Sequence, residues 1–251
     1  MSFDDALPPV VTCARCRRPE CPGCEPDPRR VEVASVAWEG AGSWSRRLWK
    51  TSLDASIDPE STFGCLTDGK LTSAILFACV AESVAVGSLG ALTILVAFAW
   101  APAFMGRALA DPAARRLGGE VFVAAVVSLL ALHAVWGLCL EAGNAVSGGQ
   151  PRWRLGVRFG LYACGWDLLT SPAGLAQGLV ARGPKQILGP IGAATRAPRP
   201  AMRAYMVRNR EFDTRAQRRA TFISWSVLAV TLLLLVIGAL AFVIRVALAG
   251  G

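Results

Sequence analysis

Eight cysteines occur in the chain, and four of them stand among the first 24 residues as two Cys-x-x-Cys pairs, Cys13/Cys16 and Cys21/Cys24. Each such turn aims two sulfurs at one point, so the two pairs together offer four thiolates to a tetrahedral ion, and Zn2+ is the expected occupant. Arg15, Arg17 and Arg18 favour the thiolate forms and offset the charge of a tetrathiolate. The separation between the pairs is shorter than in a zinc ribbon, so a redox dithiol or disulfide pair and an iron–sulfur centre are the alternatives. The remaining cysteines, Cys65, Cys79, Cys139 and Cys164, stand singly and read as small hydrophobes in a packed interior.

A second set of reactive groups lies in very different surroundings. The single histidine, His133, and the acids Glu82 and Asp167 interrupt otherwise apolar runs. An ionisable group at membrane depth costs about 2.5–3.5 kcal/mol on an insertion scale, so the three are expected to face protein or water and to pair with one another. A proton or cation path is the alternative use of such a trio.

The elements that carry these groups are apolar runs too long and too clustered for a soluble core. They cover 71–106, 120–140, 159–181 and 222–244. A helix crosses the hydrocarbon core with about 20 residues, so the first run is too long for one ordinary pass and barely enough for two, a single long tilted helix being the alternative. Its only cluster of small residues, Gly87-Ser88-Leu89-Gly90, predicts a tight hairpin that divides it into spans at 71–87 and 89–106. The expected fold is an all-α polytopic membrane protein with five transmembrane helices. A small N-terminal cytoplasmic zinc-knuckle segment and linker (1–42) and a pre-membrane segment (43–70) precede the membrane domain (71–250).

The distribution of the 26 Lys and Arg residues favours this topology. Five spans with the N-terminus in the cytoplasm leave 22 of them inside and four outside, as the positive-inside rule requires, whereas four spans divide them evenly. The expected location is the inner membrane, with the C-terminus outside. The first residues contain Asp4 and Asp5 and no apolar core, so no signal peptide is read there.

Between the knuckle and the first span, Trp44, Leu48, Trp49, Leu53 and Ile57 alternate with Arg46, Arg47 and Lys50 at helical spacing. This pattern suits a helix lying on anionic lipid; a helix packed on the protein's own cytoplasmic loops is the alternative. The helix at 159–181 is the least lipid-like of the set. It carries Pro172 beside Thr170 and Ser171, and the repeats Gly156-x-x-x-Gly160 and Gly174-x-x-x-Gly178 allow close helix approach inside a bundle. The basic segment 182–220 follows, and its Arg203, Arg208, Arg210, Arg215, Arg218 and Arg219 are candidates for contact with anionic lipid headgroups or an acidic protein face.

Three stretches carry a family resemblance. Pro59-x-x-x-Phe63 stands just ahead of the first span, Ala131-Leu-His-Ala-Val-Trp-Gly137 lies in the third, and Phe159-Gly-Leu-Tyr-Ala-Cys-Gly-Trp-Asp-Leu-Leu-Thr-Ser-Pro172 lies in the fourth. Together they resemble the Yip family of membrane proteins in its bacterial branch, over about 58–250. The resemblance implies a five-span bundle acting as a membrane factor or adaptor, as eukaryotic relatives do in binding Rab-type GTPases. The cysteine-rich start lies outside it.

No phosphate-binding Gly-rich loop, His-Glu-x-x-His helix or nucleophile elbow is present, so the expected role is binding rather than catalysis. Nucleic acid is not an expected partner, because only Tyr205 and Phe212 stand among the cations of the basic segment. The expectation is an adaptor that holds an unidentified cytoplasmic protein through the knuckle and basic loop, with homo-oligomerisation open. A membrane redox protein and a small ion- or proton-coupled transporter are the rival readings.

Overall fold

The computed structural model describes residues 36–182 and 198–249, with side chains omitted at 181, 182, 232 and 234–249. Cys13, Cys16, Cys21 and Cys24 therefore lie outside the described residues, as does most of the linker. Every regular element among the described residues is helical. A 3-10 turn at Ala37–Glu39 is followed by α1 (Trp44–Ile57), α2 (Pro59–Phe63), α3 (Leu71–Trp100), α4 (Pro102–Ala110) and α5 (Pro112–Val146). Then come α6 (Trp153–Ala163), α7 (Gly165–Thr170), α8 (Pro172–Arg182), α9 (Pro198–Arg203), a π-helical stretch Ala204–Asn209, and α10 (Thr214–Ala249).

The hairpin expected at Gly87-Ser88-Leu89-Gly90 is not formed, because α3 runs through it without a break. A glycine inside a helix costs about 1 kcal/mol relative to alanine, whereas opening a helix in an apolar setting leaves backbone groups unpaired at several kcal/mol each. The bend comes where the backbone can be released. Ala101 leaves the helical region ahead of Pro102, and Asp111 ahead of Pro112 caps α5 by accepting the Ala113 N–H at 2.9 Å. Two Pro-initiated breaks thus bracket α4 and turn α3 into α5.

Helices α3 and α5 are apolar and long enough to cross a membrane. With 30 and 35 residues they measure about 45 and 52 Å, more than a hydrocarbon core needs. The part of α3 beyond Gly87, all of α4 and the start of α5 carry exposed apolar side chains, among them Leu92, Leu95, Phe104 and Val123, and Trp100 is 88% exposed.

The buried core sits at the other end. There α1, α2, the first turns of α3, the last turns of α5, α6, α7 and the π-helical stretch enclose Phe63, Phe77, Leu140, Phe159, Tyr162 and Tyr205. Phe159 touches Phe63 at 4.8 Å, Tyr205 at 4.7 Å and Trp136 at 5.2 Å, and Trp136 meets Trp166 at 5.4 Å between ring centroids. The three stretches separated in sequence at 59–63, 131–137 and 159–172 thus supply one aromatic cluster. Helix α1 belongs to this core and is not a detached surface helix. Leu48, Ser52 and Ala55 are buried, Gly165 packs so closely on Ser52 that a Cβ would overlap it, and Trp166 Nε1 donates to Ala55 O at 3.1 Å.

The single helix expected over 159–181 is in three pieces. Ser171 is extended ahead of Pro172, which has no N–H for the carbonyl of Leu168. Ser171 Oγ donates to that carbonyl at 2.7 Å, and Thr170 Oγ1 donates to Trp166 O at 3.0 Å. Upstream, α6 lies against α5 through glycine: a Cβ on Gly156 or Gly160 would overlap the backbone of Gly137 or His133.

Candidate functional site

Cys164 and Asp167 sit at the break between α6 and α7, one ahead of α7 and one in its first turn. The break brings them to the face where α3 presents Glu82 and α5 presents His133. The glycine contacts of α6 with Gly137 and His133 fix that register. His133 Nε2 lies 2.8 Å from Asp167 Oδ2 and 3.5 Å from Glu82 Oε1. All three ionisable residues read from the apolar runs therefore meet. Cys164 joins them: its sulfur, the Glu82 carboxylate and the His133 ring lie within 4.8 Å of one another.

Glu82 is wholly buried, and neither of its carboxyl oxygens has a hydrogen-bond partner. Cys164 is buried too, while the Asp167 side chain is 39% exposed and forms the solvent side of the cluster. Four potential ligand groups from three elements thus converge, and a thiol, an imidazole and two carboxylates suit a borderline divalent metal or a shared proton. The packed-interior reading of the single cysteines holds for Cys139 and Cys164, both buried, although Cys164 also lies against Glu82 and His133; Cys79 is half-buried, and Cys65 is exposed and departs from it.

A second polar centre lies at the base of α5. Glu141, fully buried, receives four hydrogen bonds: from Tyr205 OH at 2.5 Å, Arg210 Nε at 2.9 Å, Arg210 Nη2 at 3.1 Å and the Arg152 N–H at 2.7 Å. Arg210 Nη2 also donates to Gln150 O at 2.7 Å. The hydrogen bonds that Arg210 donates to Glu141 hold its guanidinium charged beyond its already high range. Burial, then the Glu141 charge, pushes the Tyr205 phenol far above the usual tyrosine range.

This centre changes the expected topology. The loop 141–157 and the segment 182–220 were expected on opposite sides of the bilayer, yet Arg152 and Arg210 converge on one carboxylate. Asn209 Nδ2 further donates to the carbonyls of Phe63 and Leu66, at 3.0 and 2.8 Å. The chain that leaves at Arg152 has returned to the same place by Arg210, beside the segment that precedes α3.

A third centre joins the start of the described chain to α6. Arg158, completely buried, donates to Glu39 Oε1 at 2.8 Å, and Tyr162 OH donates to the same oxygen at 2.7 Å. Among the six arginines read as lipid or partner contacts, Arg210 is committed to Glu141 and Arg219 donates to Val146 O at 2.7 Å. Arg208 forms an exposed pair with Glu60 at 3.5 Å, while Arg203, Arg215 and Arg218 are exposed.

Sequence reasoning missed Glu141, Arg158, Tyr205 and Cys164. The charges flank apolar runs, where they resemble topology signals. For Cys164 a signal existed: Cys164-Gly-Trp-Asp167 places two ligand types one turn apart beside a small residue. No family model matches the chain, and no curated protein or solved structure matches it.

Proposed function

We propose that this chain is an integral membrane adaptor: a helical base at the cytoplasmic face, anchored by apolar helices, that presents the cysteine pairs and a basic surface to a soluble partner. The observation that carries the reading is the exposed apolar length of α3 and α5, which stands out from a base in which buried Arg158 pairs with Glu39 and buried Glu141 with Arg210. Isolated apolar side chains on a surface are ordinary, but two helices exposed along such a length need lipid or protein around them.

In this reading the chain crosses three times, through α3, α5 and the apolar part of α10, while α6, α7 and α8 enter from the base and turn back. Positive charge supports it. Lys and Arg of 1–70, 141–158 and 182–219 then share the cytoplasmic side, 22 of the 26, and the α4 turn and C-terminal tail keep four. Discontinuous helices such as these are tolerated at membrane depth where protein covers them, and Ser171 and Thr170 fill the hydrogen bonds that the break releases. Of the resemblance to the Yip family, which implies five spans, only the adaptor role enters this proposal, together with the Zn2+ expected at Cys13, Cys16, Cys21 and Cys24. Of the six arginines, Arg203, Arg215 and Arg218 remain free to meet an acidic partner or anionic headgroups.

The topology is tested with Ala113→Cys and Gln150→Cys in intact cells, using a membrane-impermeant maleimide. Labelling from outside at 113 and not at 150 is expected; the reverse pattern restores five spans and rejects three. The adaptor role is tested by photo-crosslinkers placed at Arg203 and Arg218. A discrete soluble protein captured in the cell, and lost in Cys13→Ser/Cys16→Ser, is expected. Crosslinks to lipid alone would leave an anchor with no adaptor function.

A transporter remains the second reading, because Glu82, His133 and Asp167 do meet. It requires pH-dependent flux in proteoliposomes that Asp167→Asn abolishes.

A further inference from the structure

We infer that Glu82, His133 and Cys164, with Asp167 beside them, form a binding site for a borderline divalent transition-metal ion such as Zn2+, separate from the N-terminal cysteine pairs. The ligand atoms already converge. Glu82, His133 and Cys164 each offer one within 4.8 Å of the others, and tetrahedral Zn2+ ligands stand roughly 3.3–3.8 Å apart given metal–ligand bonds of 2.0–2.3 Å. Rotamer adjustment of a glutamate and a cysteine covers that difference without moving a helix.

The unpaired Glu82 carboxyl points to a ligand independently of this convergence. Both its oxygens are buried and form no hydrogen bond of good geometry, with only His133 Nε2 at 3.5 Å, the Cys164 thiol and the Asp167 carboxyl against them. A buried acceptor without a partner costs about 1–3 kcal/mol, more if charged, and a cation supplies what is missing. Charge and softness narrow the choice of ion. A glutamate and a thiolate balance a divalent ion, with Asp167 adding one negative charge on the solvent side, and the sulfur and nitrogen donors disfavour Mg2+ and Ca2+. Asp167, 2.8 Å from His133 and reached by solvent, lies on the side from which an ion would enter. Binding displaces the thiol proton and any proton on His133 Nε2, so affinity falls as pH is lowered.

The inference does not depend on the adaptor reading or on the number of crossings. Its test uses the full-length, detergent-purified chain with Cys13, Cys16, Cys21 and Cys24 all changed to Ser, so that any remaining metal belongs to the inner cluster. Titration with Co2+ is expected to give saturable binding of one ion per chain, with thiolate-to-cobalt charge-transfer absorption, competed by Zn2+. Cys164→Ala should remove the charge-transfer band, and the isosteric Glu82→Gln should weaken binding by about 100-fold or more. Thermal unfolding of each variant without metal reports whether it folds. A folded parent lacking the four N-terminal cysteines that binds neither Co2+ nor Zn2+ overturns the inference. So does a folded Cys164→Ala variant that keeps the absorption band.

Discussion

Changing Arg210 to Ala leaves Glu141 buried at the foot of α5 without its only formal countercharge in contact among the described residues. Removing one partner of a buried ion pair costs about 3–5 kcal/mol. The cost here is smaller for two structural reasons. Glu141 keeps hydrogen bonds from Tyr205 OH and the Arg152 N–H, and the Arg210 side chain, 9% exposed, leaves an opening through which water can enter. The expected loss is about 2–3 kcal/mol, or roughly a 30- to 140-fold rise in the open population at 1.4 kcal/mol per factor of ten. The transition should be local, because Arg210 ties the π-helical stretch and the start of α10 to α5. Hydrogen exchange followed by mass spectrometry in detergent is the assay, read on peptides covering 198–213 and normalised to α3. Arg210→Ala/Glu141→Gln should exchange more slowly than Arg210→Ala alone, since the second change removes the stranded charge. Exchange in Arg210→Ala within about twofold of the parent would refute the argument, since it would mean that Glu141 does not need this partner.

Gly160→Ala places a Cβ on the His133 carbonyl and should separate α6 from α5 at about 1–3 kcal/mol, seen as a lower melting temperature and loss of metal binding at the inner cluster. Ser171→Ala removes the donor to Leu168 O and should cost about 1–3 kcal/mol, measured by chemical unfolding; Ser171→Thr should restore most of it. The phenol of Tyr205 is raised in the folded chain, so its contribution to stability is complete below the ordinary tyrosine value near 10 and is lost as pH climbs above it. Unfolding curves from pH 8 to about 11 should therefore show an alkaline decline that is smaller in Tyr205→Phe. A decline of equal size in the variant would assign it to other groups.

Residue type was enough to mark Glu82, His133 and Asp167, because charge inside an apolar run is costly wherever the chain goes. Their pairing was expected from the cost of charge in an apolar setting, but which atoms meet, and that Cys164 joins them, was not legible, since that depends on the register of three helices. That register comes from Gly137, Gly156 and Gly160, of which the sequence shows only the small-residue spacing. The bend was misplaced because glycines weaken a helix whereas proline removes a donor, and the second effect decides where α3 ends. Glu141 and Arg210 read as boundary charges because nothing local shows that one lies buried under the other. Counting cations could not separate five crossings from three, because both leave the same number on each side. The positive-inside rule orients a chain, but it does not count its passes.

The partnership at Glu141 also sets a schedule for synthesis. Arg210 follows it by 69 residues, and at 5–20 residues per second roughly 3–14 s separate their emergence from the ribosome. During that interval the acid has no arginine, so the end of α5 must stay hydrated and cannot settle into the base. Final docking of α5 thus waits until translation has passed α9, and a nascent chain stalled before Arg210 would hold its foot open for chaperones or proteases to engage.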